Sequence, residues 1–214
     1  MIPLILRLKK TNHKEIAKAQ DIIVQAIYEI FDHAVFHGGT CIWRCYSGKR
    51  FSEDIDVYLT KDHTKINALF SLLEKKGLVI EKKKISEKSI YSSFLFQRTP
   101  VRFEAVFKNI SGSLKEYETA EGNFITIHAL TPEELIIEKV SAYLSRLKIR
   151  DLYDIFFLLR YVNDFAQIKA SLGELLAKFE KPIDEKDLKT LILEGIVPET
   201  KDMLQYIREK HGKN

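Results

Sequence analysis

The sequence predicts an α+β fold: a first half that mixes helices and strands, followed by a second half that is helical throughout. Apolar runs with strand-like spacing occur only before residue 130, whereas the later residues show helical periodicity alone. The sequence TPEE (131–134) marks the change, because it combines the spacing of a capping box with a proline at the first helical position. We therefore expect one domain over residues 1–130 and a helical domain over residues 131–214.

Helices and strands alternate in the first half. A capping-box spacing at Asn12 and Glu15 predicts the start of a long amphipathic helix. A short strand at 34–37 is expected to end at the pair Gly38-Gly39, and a short helix is expected directly after the glycines. The other expected elements of this half are strands at 55–60, 78–86, 89–97, 101–107 and 124–129, and a helix at 65–76 closed by Gly77. The helices expected in the second half are 132–146, 149–163, 166–179, 184–194 and 199–211.

The composition is that of a globular protein. Of the 214 residues, 45% are hydrophobic and 30% are charged, which argues against a disordered or a membrane protein. No apolar run approaches the roughly 20 residues of a membrane helix, and no export signal is present. Cys41 and Cys45 lie one helical turn apart and lack partners for a disulfide framework or a zinc site. We therefore expect a cytoplasmic protein with no membrane partner.

Two aspartates occupy alternate positions of a predicted strand. Asp54 and Asp56 point to one face of that strand, while Ile55 and Val57 point to the other. Two carboxylates this close repel each other unless a cation lies between them. A Mg²⁺ ion meets this need, because it binds one or two carboxylates together with phosphate oxygens and water. The alternative is a solvated loop that leads into an ordinary strand.

The glycine pair supplies a complementary feature. A Gly38-Gly39 turn that enters a helix lets backbone N–H groups approach an anion closely, and the helix dipole favours negative charge there. A glycine pair alone is usually just a turn. The segment Gly38-Gly39-Thr40 followed by Asp54 and Asp56 on the next strand is more specific. This combination predicts a site for a metal-bound triphosphate.

A third carboxylate is expected, since phosphoryl transfer with two metal ions needs another group to bind metal and to help deprotonate the attacking hydroxyl. Glu104 interrupts the alternating strand PVRFEAVF (100–107) and becomes a neighbour of the aspartates if this strand pairs beside theirs. The alternative is an exposed glutamate beside Arg102 on a sheet with one solvent-exposed face.

These residues carry a family resemblance. The string HGGTCIWRCYSGKRFSEDIDVYL (37–59), followed by a strand carboxylate, resembles the nucleotidyltransferase fold of the DNA polymerase β superfamily and, within it, the AbiEii/AbiGii toxin family. The string EKVSAYLSRLKIRDLYDIFFLL (138–159) is similar to the family's lysine-bearing helix and the Arg-Asp-x-x-Asp helix after it. The resemblance covers about residues 34 to 162, and Cys41-Ile42 departs from the family's small and aliphatic residues. It implies a nucleotidyltransferase-like mixed β-sheet with flanking helices, followed by a C-terminal helical bundle.

The second motif adds candidate residues for nucleotide binding. Lys139 emerges from an apolar stripe of its predicted helix, and the family implies that it reaches the nucleotide's phosphates with Asp151 positioning it. The alternatives are a snorkelling lysine and a helix-capping aspartate. Asp154 is equally able to pair with Arg150 or Arg146. Arg50 and Ser52 flank the loop before the strand that carries Asp54 and Asp56. They either contact phosphates or belong to a solvated loop.

The resemblance implies a Mg²⁺-dependent nucleotidyltransferase, with Mn²⁺ as the alternative cofactor. It would move a nucleoside monophosphate from an NTP to an acceptor hydroxyl and act as the toxin of a toxin–antitoxin system with a cognate antitoxin. Asp54, Asp56 and Glu104 are the expected catalytic and metal-binding residues. The helical domain would complete the NTP site. Two alternatives stay open: transfer onto a protein hydroxyl (AMPylation), and a non-catalytic nucleotide- or RNA-binding module.

The expected acceptor is RNA, with the 3′ end of tRNA as the favoured form, because some family members modify tRNA acceptor ends. The net charge of +4 permits a polyanionic partner without demanding one. Two basic stretches support the assignment: residues 139–150 contain four cationic and no acidic residues, and residues 81–88 contain four lysines and two glutamates. If these stretches flank the carboxylates, Lys82, Lys83 and Lys84 are expected to follow a phosphate backbone.

Overall fold

The computed structural model describes residues 2–213. The chain packs as two compact units. The first unit consists of Met1–Ser47 and Ser52–Ala129, and the second of Gly48–Phe51 and Leu130–Asn214. A short segment in the first half of the sequence therefore packs with the helical second half.

The first unit contains four helices and a seven-stranded sheet among the described residues. The helices are α1 (Leu4–Arg7), α2 (Thr11–Ile30), α3 (Gly38–Cys45) and α4 (His63–Lys75). The strands are β1 (Val35–His37), β2 (Asp54–Leu59), β3 (Val79–Ile85), β4 (Ser89–Phe96), β5 (Thr99–Phe107), β6 (Ser113–Glu118) and β7 (Phe124–Ala129). The strand order is β3-β4-β5-β2-β1-β7-β6. β2 is parallel to β5 and β1 to β7, while the other neighbours are antiparallel, so the sheet is mixed as expected.

One face of the sheet is covered by helices. α2 packs on β4 and β5, and the Phe70 ring of α4 stacks on the Phe94 ring of β4 with the centroids 5.7 Å apart. Along β2, Ile55 and Val57 are fully buried, whereas Asp54 and Asp56, which alternate with them, are only half-buried. The alternation places the apolar residues of β2 in the core and its carboxylates on the opposite face.

The second unit is helical. Its helices are α5 (Pro132–Arg146), α6 (Ile149–Leu158), α7 (Ala166–Ala177), α8 (Leu188–Leu191, preceded by a 3₁₀ turn at Glu185–Asp187) and α9 (Thr200–Lys213). The segment Gly48–Phe51 joins this unit through backbone hydrogen bonds, from Phe51 N–H to Leu191 O (3.0 Å) and from Leu193 N–H to Lys49 O (2.8 Å). The predicted α+β architecture with a helical second half is confirmed.

Local signals were right at one predicted helix start and wrong at another. At α5, the Glu134 N–H donates to Thr131 Oγ1 (3.2 Å) and the Thr131 N–H donates to Glu134 Oε2 (2.8 Å), which is the predicted capping box. The predicted box at Asn12 and Glu15 is wrong, because Lys10 is the N-cap of α2 and the Glu15 carboxylate instead accepts a hydrogen bond from the hydroxyl of Thr99 on β5. A hydrogen bond to the distant residue Thr99 therefore replaces the expected local bond to the start of α2.

Four other elements differ from the expectation. α3 contains both glycines in its first turn instead of beginning after them. α6 ends at Leu158 and α8 spans only Leu188–Leu191, so both are shorter than expected. Strand β6 was not predicted, because its sequence SLKEYE is too polar to read as a buried strand, yet it pairs with β7 along one edge of the sheet. No helix within residues 2–213 has both the length and the apolar character of a membrane span.

Candidate active site

The three predicted catalytic carboxylates lie on one face of the first unit's sheet. The predicted pairing is confirmed: β2 lies parallel to β5, with Asp56 opposite Glu104 and Asp54 opposite Arg102. Residues that face each other on adjacent strands share a sheet face and lie about 5 Å apart. On the other side of β2, His37 of β1 is opposite Asp56. The register therefore makes one row of His37, Asp56 and Glu104, with Asp54 beside it.

The carboxylates of this row influence one another's ionisation. Partial burial raises the pKa of Glu104 above its usual value, and the negative charges of Asp56 and Asp54 raise it further. The nearby Arg102 and His37 act in the opposite direction but do not cancel the effect. A group of acidic side chains that resists full ionisation is what a cation would stabilise.

Arg102 is a residue of this site to which the sequence reasoning gave no role. Its Nε donates to Asp54 Oδ1 at 2.6 Å, and its side chain is 44% exposed. An ion pair this exposed contributes little to stability, so little free energy opposes a movement of Arg102 away from Asp54. The signal was available in the sequence, because Arg102 and Glu104 are two residues apart on one strand and so share a face.

The donor chemistry of the site fits a hard divalent cation, although the side chains do not form a finished cage. Within the part of the chain that the structure describes, no group of three or more His, Cys, Asp or Glu side chains is arranged to hold a metal ion. Asp54 is engaged by Arg102 instead. Yet Asp54, Asp56 and Glu104 offer only oxygen ligands on one surface, which is the donor set that Mg²⁺ prefers, and their repulsion favours binding a cation.

Gly38 forms the wall of the site next to Asp56. Its φ is +71°, a conformation that favours glycine, and a Cβ added to it would lie 2.1 Å from Asp56 Oδ2. The preceding His37 ring stacks on Tyr58 of β2, with centroids 4.1 Å apart and planes at 12°. The first backbone N–H groups of α3, which have no partner within the helix, therefore start directly beside the carboxylate row.

Thr40 holds α3 in place by its side chain. The residue is fully buried, its hydroxyl donates to the backbone carbonyl of Asp54, and it accepts from the Gln20 amide at 3.4 Å. Gln20 of α2 also donates to the carbonyls of Ser52 (2.9 Å) and Glu53 (3.2 Å). Sequence reasoning missed Gln20, although a glutamine at an apolar position of α2 was a usable signal. These contacts fix the start of β2 against the glycine turn.

Lys139 and Asp151, predicted to act together, are both buried in the second unit. Lys139 Nζ lies 3.0 Å from Asp154 Oδ2 and 3.6 Å from Asp151 Oδ1, so Asp154 is its nearer partner. Arg146 forms two 2.8 Å hydrogen bonds with the Asp151 carboxylate. The structure thus brings the predicted lysine and aspartate together, but within a larger group of ion pairs.

Arg50 also belongs to this group. Its Nε and one terminal nitrogen donate to the two oxygens of Asp154 at 2.9 and 2.8 Å, and its other terminal nitrogen donates to Phe51 O at 2.9 Å. The expectation that Asp154 pairs with Arg150 or Arg146 is wrong, because Arg50 lies 104 residues away in the sequence and packs here through the segment Gly48–Phe51. Burial tends to raise the pKa of Asp154, but the charges of Arg50 and Lys139 outweigh it and lower the pKa.

Replacing Gly38 with alanine is expected to abolish activity at the carboxylate row, because the new Cβ would displace the Asp56 side chain or the start of α3. Gly77→Ala is the matched control: its φ of +91° imposes a similar backbone cost of about 1–2 kcal/mol, but no atom lies within 4 Å of the added Cβ. Thermal melts and nucleotide-transfer assays of both variants check this. Equal activity losses in the two would contradict a local role for Gly38.

The family model of the nucleotidyl transferase AbiEii toxin, type IV toxin–antitoxin system, matches residues 22–210, which is well beyond the segment whose resemblance was visible in the motifs. Among proteins of curated function, none matches the chain by sequence.

Solved structures share the fold at low identity. JHP933 from Helicobacter pylori is 17% identical, with a TM-score of 0.70 over 96% of this chain and 92% of its own. MenT4, a nucleotidyltransferase toxin from Mycobacterium tuberculosis H37Rv, is 16% identical, with a TM-score of 0.64 over 94% and 82% of the two chains. The antibiotic-resistance factor ANT(2'')-Ia is 12% identical, with a TM-score of 0.50 over 76% and 92%. These likenesses support the predicted nucleotidyltransferase fold, and the match over residues 22–210 shows that the chain belongs to the nucleotidyl transferase AbiEii toxin family.

Proposed function

We propose that this nucleotidyltransferase joins a nucleoside monophosphate to an acceptor hydroxyl at the row formed by Asp54, Asp56 and Glu104, with release of pyrophosphate. The observation that carries the proposal is the register of β2 against β5 and β1, which lines up the carboxylates on one face beside the Gly38 turn. Catalysis at such a site rests on positioning and on the neutralisation of phosphate charge.

Each group of the site has a proposed role. The three carboxylates would hold Mg²⁺, or Mn²⁺ as the alternative, and the bound ion would neutralise the phosphate charge. The backbone N–H groups of Gly39 and Thr40 would donate to the triphosphate, which the missing side chain of Gly38 allows to come close. The acceptor oxygen would bond to the α-phosphorus as the bond to the bridging oxygen breaks. Glu104 would accept the acceptor's proton.

The biological role is proposed from the family. The matching family consists of toxins of a type IV toxin–antitoxin system, which supports a toxin role and a cognate antitoxin for this chain. RNA, with the tRNA 3′ end as the favoured form, remains the proposed acceptor. The nucleotide-contacting roles of Lys139, Asp151, Arg50 and Ser52, and a helical domain that completes the NTP site, stay predictions.

The proposed reaction is tested with each of the four NTPs labelled at the α-phosphorus, supplied with total RNA and with lysate protein. We expect label that RNase removes and protease does not, and we expect EDTA to abolish transfer and Mg²⁺ to restore it. Label that only protease removes would contradict the RNA acceptor. Transfer that persists in EDTA would contradict the metal site.

Replacing Glu104 with glutamine is expected to stabilise the protein at neutral pH and to lower transfer by about a hundredfold or more. The sign follows from the pKa of Glu104, which lies above its usual 4.5 in the folded state. The folded protein then holds the proton more tightly than the unfolded chain, so the free energy of unfolding falls as the pH rises through and above 4.5. Glutamine cannot ionise and avoids this loss.

Thermal melts in EDTA from pH 4 to pH 8 check the Glu104 prediction, because EDTA removes any contribution from bound cations. The gain from Glu104→Gln should disappear below about pH 4.5. Glu87→Gln is the control of opposite sign, since the hydrogen bond and charge of Lys61 lower the pKa of Glu87. A pH-independent effect of Glu104→Gln would contradict the electrostatic explanation.

A further inference from the structure

Two lysines lie on the same sheet face as the carboxylate row, at the far edge of the sheet. Lys84 of β3 is opposite Tyr91 of β4, which in turn is opposite Glu104 of β5. Lys82 is likewise opposite Ser93, which is opposite Arg102. Because facing residues share a face, these two lines of side chains run from the lysines directly to the carboxylates.

The third lysine of this stretch points the other way. Lys83 is opposite the fully buried Ser92, and its ammonium lies 4.1 Å from the centre of the Phe70 ring of α4. The sequence expectation that Lys82, Lys83 and Lys84 act together is therefore corrected, because strand alternation places only two of them on the carboxylate face.

A pocket lies at the position of the two lysines. It has a volume of about 370 Å³ and is lined by Lys82, Lys84, Ser86, Ser89 and Tyr91. The Lys82 ammonium lies 4.9 Å from the centre of the Tyr91 ring, which also lines the pocket. Within residues 2–213, neither Lys82 nor Lys84 forms an ion pair, and the nearby Glu87 carboxylate is taken by Lys61 at 2.5 Å. The pocket thus keeps two positive charges available.

The floor of the pocket is held by a short serine turn between β3 and β4. Ser86 Oγ accepts hydrogen bonds from the backbone N–H groups of Ser89 (2.9 Å) and Lys88 (3.2 Å), and it lies 3.1 Å from Ser89 Oγ. The Ser86 hydroxyl itself donates to the Ser89 carbonyl at 3.1 Å, so the donors that the pocket offers to a phosphate group are the two ammonium groups, and lysine binds phosphate as a point charge.

From this arrangement we propose that the pocket is the acceptor subsite, where a phosphate of an RNA strand binds while its terminal hydroxyl reaches the carboxylates. The proposal rests on the proposed transferase function. The strand order places the glycine turn of β1 and α3 on one side of the carboxylates and the pocket on the other, so donor and acceptor approach from opposite sides. Lys84 lies two strand spacings, about 10 Å, from Glu104.

RNA is favoured over an acidic protein as the acceptor because the pocket and the carboxylates lie a fixed distance apart. A nucleic acid strand carries phosphates at set covalent distances from its terminal hydroxyl, so one pocket serves every substrate strand. An acidic protein has no such fixed distance between a carboxylate and an acceptor hydroxyl. The pocket is also of a size to hold a single phosphate with its sugar, whereas a protein surface would need a broader contact.

The test measures equilibrium binding of a short labelled single-stranded RNA across a salt series, without NTP, for the full-length chain. In the double variant Lys82→Glu/Lys84→Glu, we expect affinity to fall at least about tenfold at low salt. The slope of log affinity against log salt should fall by about 0.7, for the one phosphate contact that the pocket supplies. Lys83→Glu is the control, with the same charge change per substituted residue on the opposite face. It should stay within about twofold of the unmodified chain.

Further measurements make the outcome decisive. Transfer assays should show a higher KM for RNA and an unchanged KM for NTP in the double variant, and melts establish that it folds. Lys82→Gln/Lys84→Gln should show a smaller loss of the same kind. Equal losses in Lys83→Glu and the double variant, an unchanged salt slope, or equal competition by polyglutamate would each overturn the subsite. Binding is measured without catalysis, so a failure of the proposed transferase function gives a different result. RNA binding would then depend on Lys82 and Lys84 as expected, but no label would be transferred.

Discussion

Replacing Asp56 with asparagine is expected to lower nucleotide transfer by about a thousandfold or more while the protein stays folded. Asp56 lies at the centre of the site, opposite both Glu104 and His37 and against the Gly38 turn. Asparagine keeps the shape of the side chain but removes the charge that would hold a divalent ion, and such an ion contributes several kcal/mol to the transition state. Removing one of three mutually repelling carboxylates should leave the stability unchanged or raised.

Asp62→Asn is the matched control for this prediction. It makes the same chemical change at the residue that caps α4, where asparagine caps as well as aspartate does. Transfer rates and melting temperatures of Asp56→Asn, Asp54→Asn and Asp62→Asn form the comparison. Transfer that survives in either Asp54→Asn or Asp56→Asn would show that the carboxylate row is not the catalytic site.

Replacing Asp154 with alanine is expected to destabilise the second unit by about 3–5 kcal/mol. The Asp154 side chain is 1% exposed and the Arg50 side chain 6%, and Lys139 lies on the same carboxylate. The change would leave two buried cations without their shared partner, and this is far more costly than losing an exposed ion pair. Chemical denaturation measures the free energy of unfolding.

Two further variants separate the explanations for Asp154. Glu174→Ala removes the exposed pair with Lys178, at 2.7 Å, and should cost no more than about 0.5 kcal/mol. The double change Asp154→Leu with Arg50→Met should recover part of the lost stability, because it removes both the buried carboxylate and the buried guanidinium. A cost below about 1 kcal/mol for Asp154→Ala would contradict a structural role for this ion-pair group.

Local sequence patterns predicted those parts of the fold that depend on local interactions. The capping box at Thr131 and Glu134 needs only neighbouring residues, and it was located to the residue. The alternation of Asp54 and Asp56 with buried residues likewise followed from strand geometry alone. The parallel pairing that brings in Glu104 was stated as a condition, since residue spacing does not fix which strands become neighbours.

Other features depended on contacts between distant segments. Glu15 bonds Thr99 and so does not form a capping box, and Arg50 finds Asp154 across 104 residues. Neither partner is indicated by any local pattern. The faces of the lysines in β3 were also not obvious, because the register between β3 and β4 shifts between Ile80 and Lys82. A one-residue shift exchanges the faces of all later side chains.

The proposed reaction at the carboxylate row on β2 and β5 moves a nucleoside monophosphate and releases pyrophosphate. The most direct measurement compares two reactions that differ only in the labelled atom of the NTP, the α-phosphorus or the γ-phosphorus, with RNA as acceptor. We predict that the α-label becomes attached to RNA, that the γ-label is recovered as pyrophosphate, and that Asp56→Asn abolishes both. Attachment of the γ-label to the acceptor, or α-label transfer that persists in Asp56→Asn, would contradict the claim.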